Sequence, residues 1–212
     1  MAGKILLCLL AGYLFGNFST AYVIGKLHHV DIRNYGSGNA GTTNAIRTLG
    51  KKSGYLVFLG DFLKVLIPAL FVRFVVFRGE DIAPLMCQIT GLGVVLGHCY
   101  PCWLHFKGGK GIATTSGAML CSDWTCLFFL PVFALIVAVT KYVSLGSMFV
   151  VFLFPVWTAI RYSENPYYVP MICVCCLYTV SGVFMHRANL RRLLNGTENK
   201  IGHHVQIEEE KK

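Results

Sequence analysis

The apolar positions of this 212-residue chain fall in long blocks, not at a helical or strand period. Blocks at 5–25, 54–77, 82–100 and 142–160 meet or approach the roughly 20 residues that a helix needs to cross a bilayer core. A fifth, 167–185, follows Asn165-Pro166. Between Lys110 and Lys141 a longer apolar stretch is broken at Ser122-Asp123, which predicts two short helices, 111–122 and 124–140. The pattern predicts an all-α integral membrane protein, with seven crossings if the short pair reaches across and five if it does not. Block 5–25 runs on through Asn17, Ser19 and Thr20 into a basic loop, so it reads as a retained first span and not as a signal peptide.

Composition sharpens this picture. Hydrophobic residues make up 55% of the chain and charged residues only 14%, against the roughly 25% charged of soluble domains. The net charge of +9 would fit nucleic acid, but the basic residues lie in short loops between apolar blocks, with no solvated basic domain. Such a distribution reports topology instead. With the N-terminus outside, the cytoplasmic segments hold Lys26, Arg33, Arg47, Lys51, Lys52, Lys107, Lys110, Lys141, Arg187, Arg191, Arg192, Lys200, Lys211 and Lys212. The outer side keeps Lys4, Arg73, Arg78 and Arg161. The bias sets the N-terminus outside and the C-terminus in the cytoplasm. Residues 1–202 form one membrane domain, followed by a charged tail, 203–212, expected to be disordered.

The same topology gathers three polar, glycine-containing segments on the cytoplasmic face. The first is Gly36-Ser37-Gly38-Asn39-Ala40-Gly41-Thr42-Thr43-Asn44-Ala45-Ile46-Arg47. Its glycines free the backbone to turn N–H groups toward an anion, Thr42 or Thr43 can cap the following helix, and Arg47 can fork onto phosphate. The second runs from Gly97-His98-Cys99 to Lys107-Gly108-Gly109-Lys110-Gly111. It is no Walker motif, since Leu104 and Gly111 stand where that motif wants Gly and Ser or Thr. Its glycines and lysines still suit a phosphate at a helix start. The third, from His186 to Lys200, places His186 and Asn189 on one helical face, with Arg187, Arg191 and Arg192 toward headgroups and Gly196 as a C-cap. His186 is the best titratable candidate for a base at neutral pH.

Other polar residues are weighed against plainer roles. Asp61 and Lys64, at i, i+3 in the second span, read as a structural ion pair, with support of the site as the sharper alternative. Most cysteines lie in apolar stretches and act as small hydrophobes. Cys99-x-x-Cys102 has no second pair, so it is not read as a metal site.

Taken together, the three segments resemble the PlsY family of bacterial acyl-phosphate:glycerol-3-phosphate acyltransferases. The family patterns S-G-N-x-G-A-x-N-x-x-R, G-H-x-F-P-x-F-x-x-F-K-G-G-K-G and R-H-x-x-N-I-x-R-L-x-x-G-x-E fall on Ser37–Arg47, Gly97–Gly111 and Met185–Glu198, in order and between the matching spans. Departures are Thr42, Tyr100, Trp103, Leu190 and, for the usual arginine, Met185. The resemblance implies seven transmembrane helices in the bacterial inner membrane and a monomer without metal or cofactor. It implies transfer of a fatty acyl group from acyl phosphate to the 1-hydroxyl of sn-glycerol 3-phosphate, giving lysophosphatidic acid and inorganic phosphate. On that reading Ser37, the Gly108–Gly111 loop, His186 and Asn189 face the donor phosphate and the developing oxyanion. Arg47 and Lys110, with Lys107 second, hold glycerol 3-phosphate, and Asn39, Thr43 and Asn44 line the same site. The runner-up is a carrier of phosphate compounds, which would place its site at mid-membrane in repeated halves; no such repeat is visible.

Overall fold

A computed structural model describes residues 1–202; the tail from His203 onward lies outside the described residues. Among those residues the only regular structure is helical. The α-helices are α1 (Ala2–Gly16), α2 (Thr20–Leu27), α3 (Thr42–Phe71), α4 (Ala83–Cys99), α5 (Ile112–Ser122), α6 (Phe129–Thr140), α7 (Val143–Arg161), α8 (Tyr168–Met185) and α9 (Arg187–Leu194). Among the described residues, five segments are long and apolar enough to cross a membrane: 2–27, 42–76, 83–104, 143–161 and 168–185. At 11 residues, α5 extends only about 17 Å.

One expected block and the helix that leads into a second are interrupted. The first breaks at Asn17-Phe18-Ser19, where the Asn17 amide donates to the Tyr13 carbonyl (2.7 Å) and ends α1. Ser19 Oγ then accepts from Tyr22 N (3.3 Å) and starts α2. The break frees polar groups for docking: Cys102 N donates to Asn17 Oδ1 and the Trp103 indole to Asn17 O, both at 2.8 Å. Tryptophan in place of the family's phenylalanine thus supplies a donor for the Asn17 carbonyl at the break. The second interruption is Gly50, whose φ of 85° bends α3 between the short helix after the first polar loop and the long apolar span.

The buried centre of the bundle is α4, which packs against α1, α3, α5 and α8. Its approach to α1 uses small residues on both sides, Gly12-x-x-x-Gly16 against Gly93-x-x-x-Gly97. A Cβ on Gly93 would overlap the Leu9 carbonyl, and one on Gly97 the Tyr13 carbonyl. Such close backbone approach is the usual substitute for hydrophobic drive between helices in lipid. Large side chains such as Leu14, Ile67, Leu135, Ile160 and Val180 point outward and are exposed, the inverse of a soluble protein. Gly97→Val is therefore expected to lower stability by about 1–3 kcal/mol through overpacking. Thermal unfolding in detergent reads this, and an unchanged midpoint would contradict the close contact.

At one end of the bundle the Ser122-Asp123 turn meets the ends of α3 and α7. Arg73 donates to the Cys121 and Ser122 carbonyls, Tyr162 Oη donates to Ser122 O (2.6 Å), and Arg161 pairs with Asp123 (3.0 Å). The three polar segments lie together elsewhere: Arg33 of the first reaches the Leu104 carbonyl of the second, and Lys110 of the second reaches Asn189 of the third.

Candidate active site

The first polar loop is shaped by its own side chains. Gly36 and Gly38 adopt φ of 60° and 69°, conformations that favour glycine. Asn44, expected among the phosphate contacts, is buried, and its amide is engaged by the loop. Its Oδ1 accepts from Ser37 N (2.9 Å) and Ser37 Oγ (3.2 Å), while Nδ2 donates to the Ile32 and Tyr35 carbonyls (3.1 Å each). Asn44 therefore sets the loop's shape and presents Ser37, which is exposed. Arg33, paired with Asp31 (2.7 Å), ties this loop to the second through the Leu104 carbonyl (3.3 Å).

The second loop corrects one expectation. The N–H groups of Gly108 and Gly109, expected to wrap a phosphate, donate to the Cys99 and His98 carbonyls at 3.1 Å and cap α4. Their lack of a side chain answers to packing: a Cβ on Gly108 would overlap His98 O, and one on Gly109 would overlap His98 Nε2 and crowd the Ala40 carbonyl. This contact seams the first loop to the second. Gly111, at φ 79°, leads into α5, whose first-turn N–H groups have no acceptor within the helix. Lys107 is exposed.

The third segment supplies the polar floor. His186 sits buried at the α8–α9 junction with Nδ1 2.8 Å from the Gly182 carbonyl. A carbonyl only accepts, so the ring proton is on Nδ1 and Nε2 keeps its lone pair. Burial and the neighbouring Lys110 charge push His186 down to about 4, which makes it a neutral acceptor at pH 7. The Lys110 ammonium donates to Asn189 Oδ1. Asn189 Nδ2 donates to Glu198 Oε1 (2.7 Å), which also accepts from Ser144 Oγ (2.8 Å), and Arg192 Nε bonds Oε2 (2.7 Å). Arg47, Lys110, Arg192 and Glu198 act on one another electrostatically. Burial, with Arg192 and Arg47 nearby, pulls Lys110 down to about 8.

Of the residues the sequence singles out, Lys110, His186, Asn189 and Arg47 come together. Ser37 and Gly108–Gly111 belong to the adjoining loops, with half-buried Asn39 and Thr43 beside them. Sequence reasoning missed Ser144, for which it offers no signal, and Glu198, which ends the third motif without a role there. Arg192 was assigned to headgroups but holds Glu198 instead. Two departures from the family patterns touch each other, with Tyr100 Oη 3.2 Å from Met185 Sδ.

The Lys110 position gives a pH expectation. A phosphate monoester is already largely dianionic above its second pKa near 6. Affinity for it should fall as pH rises through about 8 and Lys110 loses its charge. Lys110→Arg should remove that fall. KM for glycerol 3-phosphate across pH 7 to 9.5 reads this, and parallel profiles in the two proteins would contradict it.

Comparison with known proteins identifies the family. The family model described as glycerol-3-phosphate acyltransferase matches residues 6–196. A glycerol-3-phosphate acyltransferase of Clostridioides difficile (strain 630) is 45% identical over 193 residues, covering 90% of this chain and 92% of the relative. The chain is also similar to two crystal structures of PlsY (YgiH), an integral membrane glycerol 3-phosphate acyltransferase. The glycerol 3-phosphate form has a TM-score of 0.83 at 38% identity, covering 93% of this chain and 96% of that one. The lysophosphatidic acid form has a TM-score of 0.81 at 36% identity, covering 94% and 96%. With nearly the whole length matched, the chain belongs to the glycerol-3-phosphate acyltransferase (PlsY) family of integral membrane proteins.

Proposed function

We propose that this protein transfers a fatty acyl group from acyl phosphate to the 1-hydroxyl of sn-glycerol 3-phosphate, releasing 1-acyl-sn-glycerol 3-phosphate and inorganic phosphate. The observation that carries the reading is the cluster of Lys110, Arg47, His186 and Asn189 beside two glycine loops, in a chain of this family. In the reaction the glycerol oxygen attacks the acyl carbonyl carbon, the bond from that carbon to the phosphate oxygen breaks, and phosphate leaves with its electron pair. The hydroxyl proton passes to the Nε2 lone pair of His186 or to the departing phosphate. An acyl phosphate is an activated mixed anhydride, so positioning and charge stabilisation supply most of the catalysis.

In this reading Arg47 and Lys110 bind glycerol 3-phosphate, with Lys107 at the entrance. Ser37, His186, Asn189 and the first turn of α5 face the donor phosphate and the oxyanion. The chain crosses the bacterial plasma membrane seven times as a monomer, N-terminus outside, with the site facing the cytoplasm. The Lys and Arg distribution supports this orientation. The meeting of the Ser122-Asp123 turn with the ends of α3 and α7 supports α5 and α6 as crossings.

Proteoliposomes supplied with acyl phosphate and labelled glycerol 3-phosphate test the activity. Labelled lysophosphatidic acid in the bilayer is the expected product. Movement of intact glycerol 3-phosphate into the lumen, with no lipid product, would replace the enzyme by a carrier.

A further inference from the structure

Beneath the seam of the two glycine loops lies a buried charge network that the reaction above does not use. Lys64 Nζ donates to Asp61 Oδ1 (3.0 Å), to His98 Nδ1 (2.8 Å) and to the Phe18 carbonyl (2.7 Å) at the α1–α2 break. Asp61 Oδ1 also accepts from Thr20 Oγ1 (3.1 Å) and lies 3.5 Å from His98 Nδ1. Asp61, Lys64 and His98 are all buried. Ionised groups at membrane depth are costly and persist when they are paired or carry a function.

The direction of these bonds decides what His98 presents to the loops. An ammonium is a donor only, so Lys64 occupies the Nδ1 lone pair and leaves the ring proton on Nε2. That nitrogen lies against Gly109, so close that any Cβ there would overlap it, and the same Cβ would crowd the Ala40 carbonyl of the first loop. The backbone of the same histidine accepts the Gly109 N–H at 3.1 Å. His98 therefore holds Gly109 where the second glycine loop meets the first, and its ring is fixed from below by the ion pair.

We propose that Asp61 and Lys64, acting through His98, are positioning residues that hold the 39–41 and 108–111 loops at the separation glycerol 3-phosphate requires. Thr20 and the Phe18 carbonyl anchor the pair to the break in the first hydrophobic block. This rests on reading those loops as the glycerol 3-phosphate site.

Binding of glycerol 3-phosphate to the full-length protein in detergent, measured by calorimetry without acyl donor, tests it. The double variant Asp61→Asn/Lys64→Met removes both charges together and leaves no unpaired ion. Its thermal midpoint is expected to stay near that of the unmodified protein while Kd rises at least tenfold. Thr20→Val loses one hydrogen bond at nearly constant shape; it should weaken binding two- to fivefold, and Thr20→Ser should bind normally. A folded double variant that binds within twofold of the unmodified protein overturns the proposal. If the double variant does not fold, normal binding by Thr20→Val overturns it. Arg47→Ala separates the two readings. Weakened binding there with normal binding in the network variants overturns this proposal alone, whereas normal binding in Arg47→Ala overturns the site reading with it.

Discussion

Lys110→Ala is expected to lower kcat/KM for glycerol 3-phosphate by at least tenfold and toward a hundredfold. The ammonium is largely buried at the start of α5, where screening by water is weak, and it is held by Asn189. A hydrogen bond to a charged group contributes about 1.5–3 kcal/mol, and about 1.4 kcal/mol is tenfold in rate. Arg47→Ala removes a second charge from the same cluster and should lose at least tenfold. The two losses should not add, because each cation influences the other. Steady-state kinetics of both variants and their combination read this, and near-normal rates in both singles would sink the site assignment.

Lys64→Met alone should be the most damaging substitution for stability. It leaves the Asp61 carboxylate buried with Thr20 as its remaining hydroxyl donor, and it strips a donor from His98 Nδ1 and from the Phe18 carbonyl. Breaking one side of a buried ion pair costs about 3–5 kcal/mol, whereas replacing both members by a neutral pair can be close to neutral. Unfolding in detergent should show a large loss for Lys64→Met and a recovery when Asp61→Asn is added. A loss below about 1 kcal/mol for the single variant would mean that Asp61 is solvated or neutral in the folded protein.

How much of this was legible in the sequence follows from the range of each interaction. Spans are local in sequence, because lipid demands a continuous apolar helix; hydropathy therefore located four of the five long segments to within a few residues, while the second begins at Thr42 and not at 54, because a short polar helix precedes its apolar part. The ion pair between Asp61 and Lys64 was legible for the same reason, at i, i+3. The rest of that network was not, since Phe18 and His98 stand 46 and 34 positions from Lys64. Lys110 meets Asn189 across 79 positions and Ser144 meets Glu198 across 54, contacts that depend on how helices stack. Glycines misled in one respect. Their density in 108–111 signals a tight backbone, and phosphate binding and helix packing both demand one. In Gly108 and Gly109 the amides are committed to the end of α4. The Gly12/Gly16 and Gly93/Gly97 pairs carry a readable small-residue spacing, but only the fold shows that they face each other.

The central claim is acyl transfer from acyl phosphate to glycerol 3-phosphate, and phosphate release by the purified protein tests it most directly. With acyl phosphate present, phosphate should appear only when glycerol 3-phosphate is added, one for each lysophosphatidic acid formed, and acyl-CoA or acyl carrier protein should not replace the donor. Lysophosphatidic acid made from acyl-CoA at an equal or greater rate, or phosphate released without glycerol 3-phosphate, would contradict the account.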